Sequence, residues 1–508
     1  MPRPTLTELL DLVLDPGSFA SWDGPVDPGD PPGPAYAAEL GAARAATGRD
    51  ESVVTGEGLV RGRRIALLAG DPAFLGGSIG VAAAERLTLG LERATREQLP
   101  VVAFPVGGGT RMQEGTIAFL QMAKITQAVQ QHKADNLPYL VYLRHPTMGG
   151  VFASWGSLGH VQLAEPGAMV GFLGPRVYQA LYGQPFPPGV QVSENLQERG
   201  IVDAVVPPAE LADVLARILG VLMARRDRGL LSGPGHPIPD ALPQPPLRDV
   251  PAWTSIGITR RQDRPGVRDL LERTASEVTM LSGTGDGQSH PGSVLALARF
   301  GGAPCVVLGQ CRQGQTLDNP LDPAALREAR RGMRLSQELR LPLVTVIDTP
   351  GAALSRQAEE RGLAGEIARS LADLITLPTP TLSVLLGQGS GGIALALVPC
   401  DRVLASEHAW LAPLPPEGAS AIVHRTTDHA AELAAAQGVR AADLLAHGIV
   451  DRVVPEPEDA AADIDLFCAG VAEALTSELT ALMLVPRRER LRRRAERLRR
   501  LGSRSAGR

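Results

Sequence analysis

Aromatic residues are scarce in this chain of 508 residues, with four Trp, five Tyr and nine Phe. A dominant charge is missing as well. Fifty Lys and Arg against 55 Asp and Glu leave a net charge of −5, which gives no reason to expect a polyanion partner for the body of the protein. No run of eighteen apolar residues occurs, so no membrane span is expected. The stretch from Met1 to Ala20 is acidic and lacks the basic-then-apolar order of a secretory signal, so a cytoplasmic location is expected. The four cysteines, Cys305, Cys311, Cys400 and Cys468, include no C-x-x-C pair, which excludes a zinc ribbon and leaves no metal site to expect. Disulfide frameworks belong to small secreted chains, so these thiols are expected to be free and mostly buried. What is abundant is Gly, Ala and Pro, with 44% hydrophobic residues, as in a soluble α/β protein of two to four domains.

The chain contains itself twice. Leu99 to Phe104 runs into Gly107-Gly108-Gly109, and 242 residues later Leu341 to Ile347 runs into Asp348-Thr349-Pro350-Gly351. At the same offset Gly149-Gly150 faces Gly391-Gly392. Near it, Ala164-Glu165-Pro166 faces Ala405-Ser406-Glu407, and Gly200 to Pro207 (GIVDAVVP) matches Gly448 to Pro455 (GIVDRVVP). The halves meet at a proline-rich stretch, residues 232–252, which cannot continue a helix or a central strand and reads as a stiff linker. The plan is therefore an N-terminal helical extension (1–50), a first domain (51–231), the linker, a second domain (253–484) and a basic tail (485–508).

Short apolar runs closed by glycines alternate with helical spacing in both halves. Strands are expected at Pro100–Phe104, Leu137–Arg144, Leu341–Ile347 and Thr379–Leu386, and helices at Gln113–His132 and Gln357–Leu374. That alternation implies β-α-β units with mostly parallel pairing, whose ligands bind at the carboxyl ends of the strands. Two glycine clusters stand there, Pro146 to Val151 and Gly387 to Ile393, each leading into a helix. Glycine turns tightly and lets a ligand approach the backbone. Amides at a helix start have no internal partner and carry partial positive charge. Two such N–H groups can hold a developing oxyanion such as a thioester enolate. The plainer role is tight strand-to-helix packing.

These motifs carry a family resemblance. Asp71 to Gly80, Gly108-Gly109-Thr110-Arg111-Met112-Gln113-Glu114-Gly115, and Ala164 to Ala168 continuing to Gly171-Phe172-Leu173-Gly174-Pro175-Arg176 resemble the β subunit of bacterial acetyl-CoA carboxylase carboxyltransferase. Asp348 to Ala352, Ala358 to Gly362, Gly387 to Gly392 and Pro416 to Ser420 resemble its α subunit. The resemblance spans about residues 50 to 460 and implies an α/β protein of two crotonase-like β-β-α superhelix domains in tandem. It implies a carboxyltransferase that moves the carboxyl group from carboxybiotin to acetyl-CoA or propionyl-CoA, giving malonyl-CoA or methylmalonyl-CoA. One oxyanion hole is expected at Gly149 and Gly150 and another at Gly391, Gly392 and Ile393, one for the enolate and one for the ureido oxygen of biotin. The base is expected to be the biotin nitrogen. Gly108, Gly109, Arg111, Arg176 and Gly351 are expected to bind CoA or biotin. Composite sites between N- and C-domains of different protomers make a homodimer or larger homo-oligomer the expected assembly. The chain lacks a Met-Lys-Met attachment site and a G-x-x-x-x-G-K-[ST] phosphate loop. A separate biotin carboxylase and biotin carboxyl carrier protein are therefore expected as partners.

The sequence departs from the family at several points. It lacks the four-cysteine ribbon, places Ile393 where the α subunit has glycine, and reads Ala352-Ala353-Leu354-Ser355 after Gly351. Two other readings stand beside the first: a malonate or malonyl-CoA decarboxylase on the same scaffold, and a noncatalytic subunit. For Arg111 and Arg176 the roles are a CoA phosphate contact or a salt bridge, for Arg111 to Glu114 or Glu85. His145 is read as a hydrogen-bonded structural group, Glu359 and Glu360 as a solvated helix start, and Asp203 and Asp451 as turn caps. Leu484, Leu491 and Leu498 recur every seven residues in the basic tail, which suggests an amphipathic helix. That tail is read as a solvated helix or a dock for an acidic partner, with no specific nucleic-acid binding.

Overall fold

The computed structural model of the chain describes residues 3–24, 33–224, 247–316 and 318–501, and of Arg176, Val177 and Leu181 only the backbone. Two compact units divide it, Met1–Met223 and Ala224–Arg508. The expected linker lies outside the described residues as far as 246.

Each unit is built on one sheet. In the first, the strands lie in the order Ala20–Ser21, Val53–Val60, Arg63–Gly70, Val101–Phe104, Tyr139–Leu143, Val161–Ala164 and Ala204–Val205. The first three pair antiparallel and the rest parallel. The second repeats this with Ser276–Leu281, Ser293–Phe300 and Ala303–Gln310 antiparallel, then Leu343–Thr349, Thr381–Ser390, Arg402–Ser406 and Arg452–Val454 parallel. The parallel strands are buried on both faces, which is why they read as unbroken apolar runs rather than alternating ones. The antiparallel edge was not expected. Two of its four antiparallel pairings follow from two-residue turns, Arg61-Gly62 and Gly301-Gly302, whose positive φ values match the twist of a hairpin.

The core of the second unit is closed by the helix Ile464–Leu484. It is long and apolar enough by composition to cross a membrane. Its Phe467, Val471, Leu475, Leu479 and Leu482 are instead buried against the sheet, each worth about 1.5–3 kcal/mol as an upper estimate. The helix expected over Gln357–Leu374 is two, Arg356–Glu360 and Leu363–Thr376, because Gly362 between them takes φ +79°.

As far as residue 501, the basic tail is neither frayed nor turned outward. Val485-Pro486 ends the preceding helix, and a new one runs over Arg487–Arg500. Its most buried side chains are arginines, not the heptad leucines: Arg490 and Arg494 are buried, while Leu491 and Leu498 are half-buried. Arg494 pairs with Asp401, and Arg497 with Asp451 at 2.7 Å. The tail thus finds its acidic partner within its own unit.

Arg248, inside the expected linker and the second residue described after 246, is held by Glu407. Its backbone N–H, Nε and Nη2 donate to that carboxylate at 2.8, 3.0 and 2.7 Å, and the Glu456 N–H adds a fourth bond. Burial alone would raise the pKa of Glu407, but these donors outweigh it and bring it down to about 2. A carboxylate whose folded pKa is depressed stabilises the fold above its unfolded pKa and loses that contribution as pH falls through the folded one. Urea unfolding across pH 4.5 to about 2 is expected to show falling stability in the native chain and a shallower fall in Glu407→Gln.

Candidate functional site

In the first unit the strand Val101–Phe104 ends in a turn through Gly107-Gly108-Gly109, and the strand Tyr139–Leu143 leads to the helix Gly149–Phe152. The two segments are laced together: the Gly107 N–H donates to the Pro146 carbonyl at 2.7 Å and the Met148 N–H to the Gly107 carbonyl at 2.9 Å. Gly109 takes φ +113°, and a Cβ there would stand 3.1 Å from the amide nitrogen of Gly150. A side chain at 109 would cover that amide. Gly149 takes φ +56°, with the Gly108 carbonyl 3.1 Å from where its Cβ would be.

The second unit repeats the arrangement. The strand Leu343–Thr349 ends at Pro350-Gly351, and Thr381–Ser390 runs straight into the helix Gly391–Leu395. Gly351 and Gly391 take φ +136° and +73°. The N–H groups of Gly149 and Gly391 continue the parallel pairings of Thr147–Met148 and Gln388–Ser390, whereas among the described residues no acceptor outside the helix takes the backbone N–H of Gly150, Gly392 or Ile393. They are the orphan donors of a helix start. The structure therefore brings together Gly108, Gly109, Gly149 and Gly150 in one cradle and Gly351, Gly391, Gly392 and Ile393 in the other.

Ile393 fits without distortion. Its side chain is buried in a cluster with Leu321, Leu326, Ala353, Ala358 and Ala396, and its carbonyl accepts from Gln310 Nε2 at 3.0 Å. The altered loop Ala352–Ser355 packs Ala353 inward, caps the next helix with Ser355, and leaves Leu354 86% exposed.

Arg111 is not placed to meet a phosphate. It is 1% exposed, with Glu51 gripped by both terminal nitrogens, and it reaches Glu114, Tyr36, Ser52 and Ser78 besides. Glu85, the other expected partner, pairs with Lys124. Arg176 is the second residue of the helix Pro175–Tyr182, and its side chain lies outside the described part. His145 is structural: burial, then the charge of Arg3, lowers its pKa, and Nδ1 accepts from the Met169 N–H at 3.0 Å. Asp203 and Asp451 reach beyond their own turns. Asp203 accepts from the Gln162 N–H at 2.9 Å and Asp451 from the Val403 N–H at 2.7 Å, each tying its turn to the neighbouring strand. Glu359 and Glu360 are exposed, with Glu360 paired to Arg356.

Sequence reasoning missed the bracing of the second cradle. Asp348 is fully buried, and burial pushes its pKa up against the pull of Arg312. Its Oδ1 accepts from the Gln388 N–H at 3.0 Å, and its Oδ2 lies 3.4 Å from Arg312. A Cβ on Gly387 would stand 2.6 Å from that Oδ1, so the glycine before Gln388 is there for the carboxylate.

Paired strand-to-helix turns with open amides, repeated in tandem, are the arrangement expected of two crotonase-like domains. Residues 243–502 match the family described as acetyl co-enzyme A carboxylase carboxyltransferase-like, and residues 3–197 match the carboxyl transferase domain. A probable biotin-dependent acyl-coenzyme A carboxylase beta3 subunit of Mycobacterium tuberculosis is 59% identical over 503 residues, 99% of each chain. The acetyl-coenzyme A carboxylase carboxyl transferase subunits beta/alpha of Salinispora tropica are 38% identical over 516 residues, 98% of this chain and 90% of that one. The transcarboxylase 12S structure shares the fold at a TM-score of 0.71 and 21% identity, over 94% of this chain and 90% of that one. So does a single-chain, multi-domain long-chain acyl-CoA carboxylase, at a TM-score of 0.71 and 19% identity, over 94% of this chain and 46% of that one. The chain belongs to the carboxyltransferase family of biotin-dependent acyl-CoA carboxylases, as the carboxyltransferase component.

Arg111→Ala strands a buried carboxylate, Glu51. It is expected to cost about 3–5 kcal/mol in urea unfolding of the first unit. Restored stability with a raised KM in Arg111→Ala, Glu51→Ala together would instead return Arg111 to substrate binding.

Proposed function

We propose that this chain transfers a carboxyl group between carboxybiotin, borne on a separate carrier protein, and a short acyl-CoA, acetyl-CoA or propionyl-CoA. The observation that carries this reading is the doubling of the amide cradle. A transfer between two carbonyl-bearing partners generates negative charge on two oxygens, the thioester oxygen of the acyl group and the ureido oxygen of biotin. Each cradle offers donors for one of them. The fit rests on open amides: Gly109 leaves the Gly150 N–H uncovered, and Gly392 is partly exposed at its helix start.

Carboxybiotin supplies the activated carboxyl group when bound. The chain's part is to orient and stabilise. The amides of one cradle hold the thioester oxygen so that an enolate can form at the α-carbon, and those of the other polarise the ureido carbonyl. Fixed backbone dipoles need no reorganisation as charge develops. The names of the relatives support a biotin-bearing partner and an acyl-CoA substrate.

Exposed apolar side chains border both cradles. Met112, 82% exposed, follows the first, with Ile117, Phe119 and Leu120 on the next helix; Leu354 follows the second. These surfaces support a homodimer or larger oligomer in which a second copy covers each cradle. Replacing Phe119 and Leu120 with Asp is expected to give monomers with little activity, as read by light scattering and turnover.

The reaction is tested in reverse, with malonyl-CoA or methylmalonyl-CoA and free biotin or biocytin, following the decarboxylated acyl-CoA. Biotin-dependent product is expected, and the faster substrate identifies the acyl chain. Product formed equally without biotin would make the chain a decarboxylase. Gly149→Ala and Gly391→Ala, each a Cβ forced onto positive φ beside a cradle, are expected to lower kcat about 10²- to 10³-fold.

A further inference from the structure

The arginine-rich tail helix touches two elements that share one destination. Arg494, 2% exposed, donates from Nη1 to the carbonyls of Leu374, Ile375 and Leu377 at 3.1, 3.0 and 2.9 Å. Those carbonyls are the last of the helix Leu363–Thr376 and the residue after it, so the guanidinium caps that helix and meets the negative end of its dipole. From Nε and Nη2 the same guanidinium grips Asp401 at 2.8 and 2.7 Å. Asp401 in turn accepts from the backbone N–H and the hydroxyl of Thr381 at 2.9 and 3.1 Å, and its own N–H returns to the Thr381 carbonyl at 3.0 Å. Thr381 is the first residue of the strand that ends at Ser390.

Both elements lead to the second cradle. The strand delivers Gly391 and Gly392 directly. The helix packs against Gly392: a Cβ there would stand 2.8 Å from Ile367 Cδ1. One side chain from the C-terminal tail therefore anchors the far ends of the two elements that hold the cradle's amides.

We infer that Arg494 is a positioning residue for the Gly391–Gly392 cradle, acting through the helix Leu363–Thr376 and through Asp401. It touches no substrate. The tail helix is the clamp that holds it there, aided by Arg490, which donates to the Pro378 carbonyl, and by Arg497, paired with Asp451. Lysine cannot replace it, because an ammonium lacks the planar fork that serves carbonyls and carboxylate together. The kinetic part of this inference rests on the proposed carboxyl transfer; the structural part does not.

The test uses the full chain with Arg494→Ala and Arg494→Lys, read by hydrogen exchange and by reverse-reaction kinetics. In both variants, exchange is expected to quicken over 363–376 and 388–396 while 101–150 keeps its native protection. kcat is expected to fall about tenfold, with KM for the acyl-CoA within about twofold, and added guanidinium ion should restore Arg494→Ala. Native exchange at 388–396 in a folded variant would overturn the inference. So would a uniform quickening across the whole second unit, which marks simple loss of stability. Should Arg494→Ala fail to fold, Arg494→Lys decides by the same exchange criterion. Should the native chain show no carboxyl exchange, the proposed reaction fails while the exchange pattern still decides the clamp.

Discussion

A peptide N–H in the first turn of a helix has no acceptor within that helix, and the rest of each unit is arranged around keeping a few such groups open. At Gly149–Gly150 and Gly391–Gly392 a parallel strand stops and a short helix begins almost at once. The change of direction requires positive φ at the first glycine of each pair. A neighbouring turn, at Gly109 or Gly351, passes close by without a side chain to fill the space. The fold thus supplies oriented dipoles at the carboxyl ends of its strands, where such sheets present their ligand sites.

The two units reach that end by different bracing. In the first, backbone bonds lace Gly107 to Pro146 and Met148, and the adjoining loop is fixed by the buried Arg111–Glu51 pair. In the second, the position matching Val106 at the repeat offset of 242 residues is Asp348. That buried carboxylate ties the two strand ends together through Gln388 and sits against Arg312. A buried charge of this kind is costly unless paired and hydrogen-bonded. It is tolerated here because two neighbours meet it and Gly387 makes room.

Much of this was legible in the sequence because the repeat reports it twice. The strands Val101–Phe104 and Leu343–Thr349, and the glycine pairs after them, announce themselves by apolar runs and by registered glycines. What stayed hidden depends on long-range partners. Nothing local distinguishes Arg111 as a ligand for Glu51, sixty residues away, from a ligand for phosphate. Nothing in the tail's heptad of leucines shows that its arginines face inward, since their acceptors are an aspartate about ninety residues earlier and the carbonyls at a helix end. The antiparallel hairpins at each sheet edge were missed because Arg61-Gly62 and Gly301-Gly302 are weak turn signals on their own.

The amide cradles also explain why apolar side chains stand exposed beside them. Backbone donors stabilise developing charge far better where water is excluded than where it competes for the same oxygen. Yet Gly149, Gly150, Gly391 and Gly392 are partly open to solvent within their own units. Met112 and Leu354 occupy the same place in the repeat, just beyond the first and second cradle, and both are almost wholly exposed. A lone exposed methionine or leucine needs no explanation. The same exposure at the same repeat position, joined in the first unit by Ile117, Phe119 and Leu120, is the pattern of a surface that is covered in use. Under the proposed carboxyl transfer, unshielded amides would need such a cover, which would make assembly and catalysis two demands of one constraint.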